Sequence, residues 1–205
     1  MTLQNRVDPF GRIIATPARG TLMGNRGILH DEHRTVRKTH AHQNWVTCGL
    51  SFKGWKRPLM AQGRYTELFF LDEATSLAAG HRPCAECRRE RYKAFLDAWQ
   101  KAHGGAVEGR SLPQTIDRAL HTARIHRREK VTFDSLIEDL PDGTICADGE
   151  TPVLIWQGRH YRWSFDGYTP QTTPLVGTVR VLTPEPLIDV FRQGYRPEIH
   201  ASVEN

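Results

Sequence analysis

Two cysteines separated by two residues constrain the fold of this chain more than any other feature of its sequence. Cys84 and Cys87 lie in the run GHRPCAECRRERY, in which Pro83 favours the start of a helix. The free N–H groups and positive dipole of a helix N-terminus stabilise thiolates, and this spacing lets both sulfurs reach one metal ion at about 2.3 Å. The alternatives are two inert buried cysteines or a redox dithiol. The dithiol is disfavoured because a helix and a glycine, and not a βαβ strand, precede the pair.

The composition of the chain and the lengths of its apolar runs predict a cytoplasmic protein with no membrane segment. No apolar run approaches the roughly 18–20 residues of a membrane span, and the N-terminus has no apolar signal segment. The chain has only four cysteines, so in this compartment we do not expect a disulfide framework. Hydrophobic residues make up 39% of 205, which is enough for at least one core.

The distribution of turn residues and apolar periodicity predicts an α+β fold. Residues 1–20 are expected to be irregular, residues 21–30 to form a hairpin around GNRG, and residues 46–52 and 66–71 to form strands. Helices are predicted from Asp72 to Gly80, from about Ala85 to Gly104, from Ser111 to about Arg128, and over 132–140.

The remainder of the chain is predicted to be β-rich. Strands are expected at VLIW, HYRWSF and TVRVL, followed by a terminal helix over 184–194 that Thr183 caps. A break near 141–151 divides a metal-bearing region with a helical extension, residues 1–140, from a small β-rich region, residues 141–205. The two regions can also form one compact domain.

The run FFLDEATSLAAGHRPCAEC resembles the second half of the Ada-type metal-binding domain, the N-terminal module of bacterial alkylation-response proteins. Both have an aromatic strand, a short helix, a glycine and Gly-x-Arg-Pro-Cys-x-x-Cys; the shared run covers about 68–89. Cys48 matches the second upstream zinc ligand of the family and extends the resemblance to about 44–89. The resemblance implies a Zn²⁺ site at Cys48, Cys84 and Cys87, and a nucleic-acid setting such as DNA repair.

One departure from the family pattern affects the expected chemistry. The family's methyl acceptor is a cysteine four residues before the Cys48 position, and here that position is Asn44. An amide cannot accept a methyl group from a phosphotriester, so the sacrificial repair reaction does not carry over.

The fourth zinc ligand stays open in the sequence. His30 and His42 are equal first candidates, with His40 and Cys146 behind them. Asp31 lies beside His30 and could hold its tautomer. Water in the fourth position would instead make the site catalytic.

Basic residues are concentrated in a few segments, although the net charge is only +5. Such segments suit the phosphates of a nucleic acid, and the alternative is a set of solvated faces. The predicted nucleic-acid-binding residues are Arg82, Arg88, Arg89, Arg118, Arg124, Arg127 and Arg128.

Five residues are candidates for a catalytic cleft. Asn25 and Arg26 lie in the GNRG turn, and Asp31 follows His30. Asp117 and His121 are spaced four apart on the helix that also carries Arg124, so they could act as acid and base beside a phosphate clamp. A salt-bridged surface helix is the alternative.

These features predict a zinc protein that binds or acts on nucleic acid, in DNA repair or nuclease-like processing. One alternative is a zinc hydrolase of the deaminase type, with His30, Cys84 and Cys87 as ligands and Glu32 as proton shuttle, which leaves Cys48 without a role. Another is a non-enzymatic zinc module for protein interaction, whose protein partners the sequence does not identify. The aromatic residues of its β-rich region are typical of cross-strand packing.

Overall fold

The chain folds as α+β, as the sequence predicts, in a computed structural model that describes residues 2–54 and 58–203. The described residues form four α-helices, two six-stranded sheets and a two-stranded ribbon. No helix within them is both long and apolar enough to cross a membrane.

The first sheet is built from the N-terminal part of the chain, in the order β2-β1-β5-β3-β4-β6. The β1–β5 and β4–β6 pairs are parallel and the other pairs are antiparallel. Its strands are β1 (Gln4–Val7), β2 (Ile13–Ala15), β3 (Leu22–Asn25), β4 (Val46–Gly49), β5 (Leu68–Phe70) and β6 (Arg82–Pro83).

Two predictions for the N-terminal part are wrong. Residues 1–20 are not irregular, because they contribute β1 and β2. Residues 21–30 are not a hairpin either. Strand β3 is flanked by β4 and β5, which occupy both of its edges, so GNRG is the point at which the chain leaves the sheet. The strands predicted at 46–52 and 66–71 are present in shorter form.

The helices are α1 (Glu73–Ala78), α2 (Arg89–His103), α3 (Leu112–Arg124) and α4 (Glu185–Arg192). Asp72 caps α1 as predicted, since its carboxylate accepts a hydrogen bond from the backbone N–H of Thr75 at 2.8 Å. Gly80 follows the helix with a φ of 87°, the left-handed conformation that glycine adopts at low cost. Helix α2 begins later than predicted, after the cysteine pair and not at Ala85.

Helix α3 ends earlier than the predicted Arg128. After Arg124 the chain forms the ribbon of β7 (Ile125–His126) and β8 (Glu129–Lys130), and Arg127 and Arg128 occupy its turn with φ values of 48° and 80°. The N-cap of α4 is Pro184 and not Thr183, whose hydroxyl instead accepts a hydrogen bond from the N–H of Ile145 at 2.9 Å.

The second sheet has the order β13-β12-β11-β10-β14-β9 and is antiparallel throughout. The predicted strands VLIW, HYRWSF and TVRVL are all present. The strands are β9 (Phe133–Leu136), β10 (Ile145–Asp148), β11 (Thr151–Trp156), β12 (Arg159–Ser164), β13 (Gly167–Pro170) and β14 (Thr178–Val181).

The prediction of a helix over 132–140 is wrong. Its first half is β9, which pairs with β14, and only Ile137–Asp139 forms a 3₁₀ turn. Four cross-strand pairs outweigh the weak helical propensity of the segment. Cys146 lies fully buried in β10 with its sulfur directed at the carbonyl of Val153.

Helix α1 is completely buried between the two parts of the chain. One core cluster joins Leu71 and Ala74 to Ile145 and Leu154 of the second sheet. A second cluster joins Leu77 of α1 to α2, α3 and α4. The boundary at residue 140 stays a prediction, and the apolar core runs across it. Trp163, one of the aromatic residues of the β-rich region, is buried against α1.

Candidate metal centre and basic cleft

The cysteines predicted from the sequence converge at one point. The Sγ atoms of Cys48, Cys84 and Cys87 all lie within 4.8 Å of one another. Strand β4 carries Cys48, and the parallel strand β6 delivers Cys84 beside it, where the N–H of Cys84 donates to the carbonyl of Thr47 at 2.9 Å. The Cys84-to-Cys87 turn then brings the third sulfur back to the first two.

The electrostatics of the three sulfurs are those of a site that shares protons among thiols. The pKa of Cys84 is lowered to about 5, chiefly because the Cys48 thiol donates a hydrogen bond to it; the backbone N–H groups of Glu86 and Cys87 act in the same direction. The same hydrogen bond, together with burial, raises the pKa of Cys48 far above its ordinary value. Burial raises the pKa of Cys87. A divalent cation would replace these protons and stabilise three thiolates at once.

The arrangement of donors fits a tetrahedral metal ion. A zinc ion with bonds of about 2.3 Å to sulfur places its sulfurs about 3.8 Å apart, which the observed cluster accommodates with small side-chain movements. All three cysteines are half-buried, so the centre lies near the surface.

The histidine predicted as fourth ligand does not lie in this cluster. Among the described His, Cys, Asp and Glu residues only the three cysteines form such a group. The imidazole of His30 is buried elsewhere, with Nδ1 2.6 Å from the hydroxyl of Thr66, and the half-buried His42 lies near Arg124 and Asp117. The alternatives His40 and Cys146 are also absent from the cluster. The prediction of His30 or His42 as a ligand is therefore corrected.

The metal centre is connected to helix α3 through the residue before Pro83. The N–H of Arg82 donates to the carbonyl of Trp45 at 3.1 Å. The guanidinium of Arg82 donates to both carboxylate oxygens of Asp117, at 2.8 and 2.7 Å, and both side chains are buried. Backbone pairing of β4 with β6 thus brings the cysteines together, and the ion pair joins β6 to α3.

A cleft of about 550 Å³ lies where the segment before β4 faces α3. Asn44, which stands at the position of the family's methyl acceptor, is exposed in its wall. The exposed side chains of Arg110 and Arg118 supply positive charge, while Asp117 is occupied by Arg82. The amides of Gln43, Asn44 and Gln114 can donate and accept hydrogen bonds.

Histidine and arginine side chains surround Trp45, the residue after Asn44. The rings of His81 and His40 lie 5.2 and 5.6 Å from that of Trp45, and His121 lies 5.3 Å from His40. Burial first and the charge of Arg124 second lower the pKa of His40 and of His121 below the ordinary value. Both imidazoles are therefore neutral near pH 7 and able to accept a proton.

The predicted nucleic-acid-binding arginines divide into two groups. Arg82 and Arg88 are buried and bound by carboxylates, Asp117 for Arg82, and Glu73 and Glu198 for Arg88, so they are structural and not free for phosphates. Arg124 is buried beside Trp45. The exposed members are Arg89, Arg118, Arg127 and Arg128.

The predicted catalytic residues are not brought together. The carboxamide of Asn25 accepts a hydrogen bond from the N–H of Gly27 at 2.7 Å, and Asp31 is held by the loop N–H groups and by Arg37. Both have structural roles. Arg26 is buried beneath Trp45. On α3, Asp117 is bound by Arg82, and Arg124 donates to Nδ1 of His121 at 3.3 Å.

Sequence reasoning missed Trp45, His81 and Lys130. Trp45 directly follows Asn44, and His81 occupies the variable position of the Gly-x-Arg-Pro motif, so both had a positional signal. Lys130 had none, because its place depends on the β7–β8 ribbon. Comparison of the chain with protein-family models, with curated proteins and with solved structures gives no match.

Proposed function

We propose that this chain is a zinc protein that binds nucleic acid through the cleft between the Gln43–Asn44 segment and α3. The observation that carries the proposal is that Asn44, just before strand β4, lines the same cleft as Arg110 and Arg118, while β4 carries one of the three cysteines. Cationic arginines beside amides suit phosphates and base edges. The resemblance to the Ada-type domain supports the same setting and is the only support for a role in DNA repair.

Zinc is the metal we propose. Thiolate donors favour zinc over magnesium, calcium and manganese, which prefer oxygen ligands. The ion would have Cys48, Cys84 and Cys87 as protein ligands, with its fourth position open to solvent or to a bound group. Its main contribution would be to fold the edge of the first sheet, because metal binding energy is folding energy in such sites.

Nuclease-like processing is a second candidate function, which the neutral imidazoles of His40 and His121 favour. Their rings lie 5.3 Å apart near the guanidinium of Arg124, where an imidazole could accept the proton of an attacking water or hydroxyl. Loss of cleavage of labelled DNA or RNA in His121→Gln, with binding retained, would support this activity. The deaminase arrangement has no such support, because His30 is not placed beside Cys84 and Cys87.

Titration of labelled single- and double-stranded oligonucleotides at several salt concentrations tests the binding proposal. We expect affinity to fall steeply with salt, since each neutralised phosphate releases about 0.7–0.9 counterion. Arg110→Gln and Arg118→Gln should each reduce the slope by about that amount. Arg159→Gln is the matched control, an exposed arginine on β12 of the second sheet, and should leave the slope unchanged.

Two outcomes would refute the proposed function. One is the absence of binding to either kind of oligonucleotide at low salt with zinc bound. The other is an equal loss of affinity in Arg118→Gln and Arg159→Gln, which would show that net charge and not the cleft determines binding.

A further inference from the structure

Three buried or partly buried cations lie side by side around Trp45 and the β7–β8 ribbon. Arg26 is 1% exposed and Arg124 is 2% exposed, and their guanidinium carbons lie 4.1 and 3.9 Å from the centre of the Trp45 ring. Lys130 is partly buried and donates to the carbonyl of Ala78 at 2.7 Å. In the part of the chain that the structure describes, no carboxylate forms an ion pair with any of the three.

The other buried arginines of the molecule behave differently. Arg82 is paired with Asp117, and Arg88 with Glu73 and Glu198. A buried charge without a counter-charge is costly, and proteins usually pair it. The cost is visible here, because burial lowers the pKa of Arg26 and of Arg124 to about 9 and that of Lys130 to about 7.

The hydrogen-bonding capacity of these cations is also incomplete. Arg26 donates to His81, to the carbonyl of Gly11 at 3.0 Å and, more weakly, to that of Thr39, yet its Nη2 has no partner among the described residues. The Nε of Arg124 is likewise buried without a partner. Buried N–H donors normally have a hydrogen-bond acceptor, so these unsatisfied donors indicate a site for a ligand that supplies one.

A cavity of about 320 Å³ adjoins these groups. It is lined by all three cations and by the exposed Arg12 and Arg128, against a single acidic residue, Glu129. The cavity lies between the Phe10–Arg12 turn, the end of α3 and the β7–β8 ribbon. It does not share a lining residue with the cleft next to Asn44.

We propose that this cavity is a phosphate-binding site. A phosphate group offers negative charge and several strong acceptor oxygens, which fixed guanidinium donors recognise well. Arg26 and Arg124 would bind it from the base of the cavity, with Lys130 as a point charge and Arg128 at the rim, whereas Arg12 is already held by Asp8 and Glu150. The phosphate can belong to a free anion, to a small phosphate ester or to the end of a nucleic-acid strand.

Calorimetric titration of the zinc-bound protein with inorganic phosphate tests the site. We expect saturable binding with a Kd below about 1 mM. Arg128→Gln and Lys130→Gln should each weaken it about tenfold, since each removes a charge-assisted contact. Arg127→Gln is the matched control. Arg127 and Arg128 are neighbouring exposed arginines in the same turn, but only Arg128 lines the cavity, so the control should bind within about twofold of the unmodified protein.

Short oligonucleotides with and without a 5′-phosphate identify the source of the phosphate. Competition by the phosphorylated form alone supports a site for strand ends, and competition by neither supports a site for free phosphate or small esters. Lack of saturable binding up to about 10 mM inorganic phosphate would overturn the proposal, as would equal weakening by Arg127→Gln and Arg128→Gln. The titration with phosphate does not depend on the cleft, so failure here is distinct from failure of the proposed function.

Discussion

The ion pair between Arg82 and Asp117 should be among the largest single contributors to stability near the cleft. Its side chains are only 7% and 12% exposed, and two hydrogen bonds of 2.7 and 2.8 Å join them. Asp117→Asn keeps the shape but removes the charge, which leaves a buried guanidinium without a counter-charge. Removing one partner of a buried pair costs about 3–5 kcal/mol, and the retained amide oxygen can still accept one bond, so we expect about 3 kcal/mol.

Urea unfolding of the zinc-bound protein measures this cost directly. Asp189→Asn is the matched control, because Asp189 forms an ion pair of similar length, 3.0 Å, with Arg192, in which both side chains are 45–49% exposed. An exposed pair contributes at most about 0.5–1 kcal/mol. The double variant Arg82→Met with Asp117→Leu should recover most of the loss. A cost below about 1 kcal/mol for Asp117→Asn would refute the view that Arg82 is structural.

Three further predictions concern pH, backbone conformation and methyl transfer. Burial, followed by the charges of neighbouring arginines, lowers the pKa of His81 well below 6.5 in the folded chain, so on acidification the unfolded chain takes up a proton at a higher pH than the folded chain does. The contribution of neutral His81 to stability is therefore complete above pH 6.5 and is lost as the pH falls below that value. In His81→Gln, the slope of the unfolding free energy against pH should be smaller. Gly80→Ala should lower the unfolding free energy by at least about 2 kcal/mol in the urea assay, because the φ of Gly80 is 87° and the new Cβ would lie 2.4 Å from the side chain of Arg124. Gly54 has a similar φ of 69° but open space around it, so Gly54→Ala should cost only about 1 kcal/mol. Incubation with methylphosphotriester DNA should add no methyl mass to any cysteine, since Asn44 replaces the acceptor; a methylated cysteine in the mass spectrum would contradict this.

Local signals in the sequence were sufficient for the elements that local chemistry determines. The Asp72 cap, the Gly80 terminus and the apolar strand before them were predicted because each depends on neighbouring residues. The segment 132–140 and the first 20 residues were not, because their strands exist only through partners such as β14 and β5 that lie far along the chain.

The same distinction between local and long-range determinants applies to the candidate site. The cysteine pair is a local motif, and the resemblance extended it to Cys48. The arrangement of cations is a long-range property: whether an arginine meets a carboxylate, as Arg82 does, or an open cavity, as Arg26 does, depends on which elements pack together. Basic runs in the sequence therefore could not separate structural from ligand-binding arginines.

Metal content tests the central claim most directly, because the proposed function places a zinc ion at the sheet edge where the three cysteines converge. Elemental analysis of the purified protein should find about one zinc ion per chain. Cys84→Ser should lose it, and Cys146→Ser should keep it, since Cys146 lies buried in β10 away from the cluster. Equal zinc content in the unmodified protein and in Cys84→Ser, or no zinc in either after growth with the metal, would contradict the account.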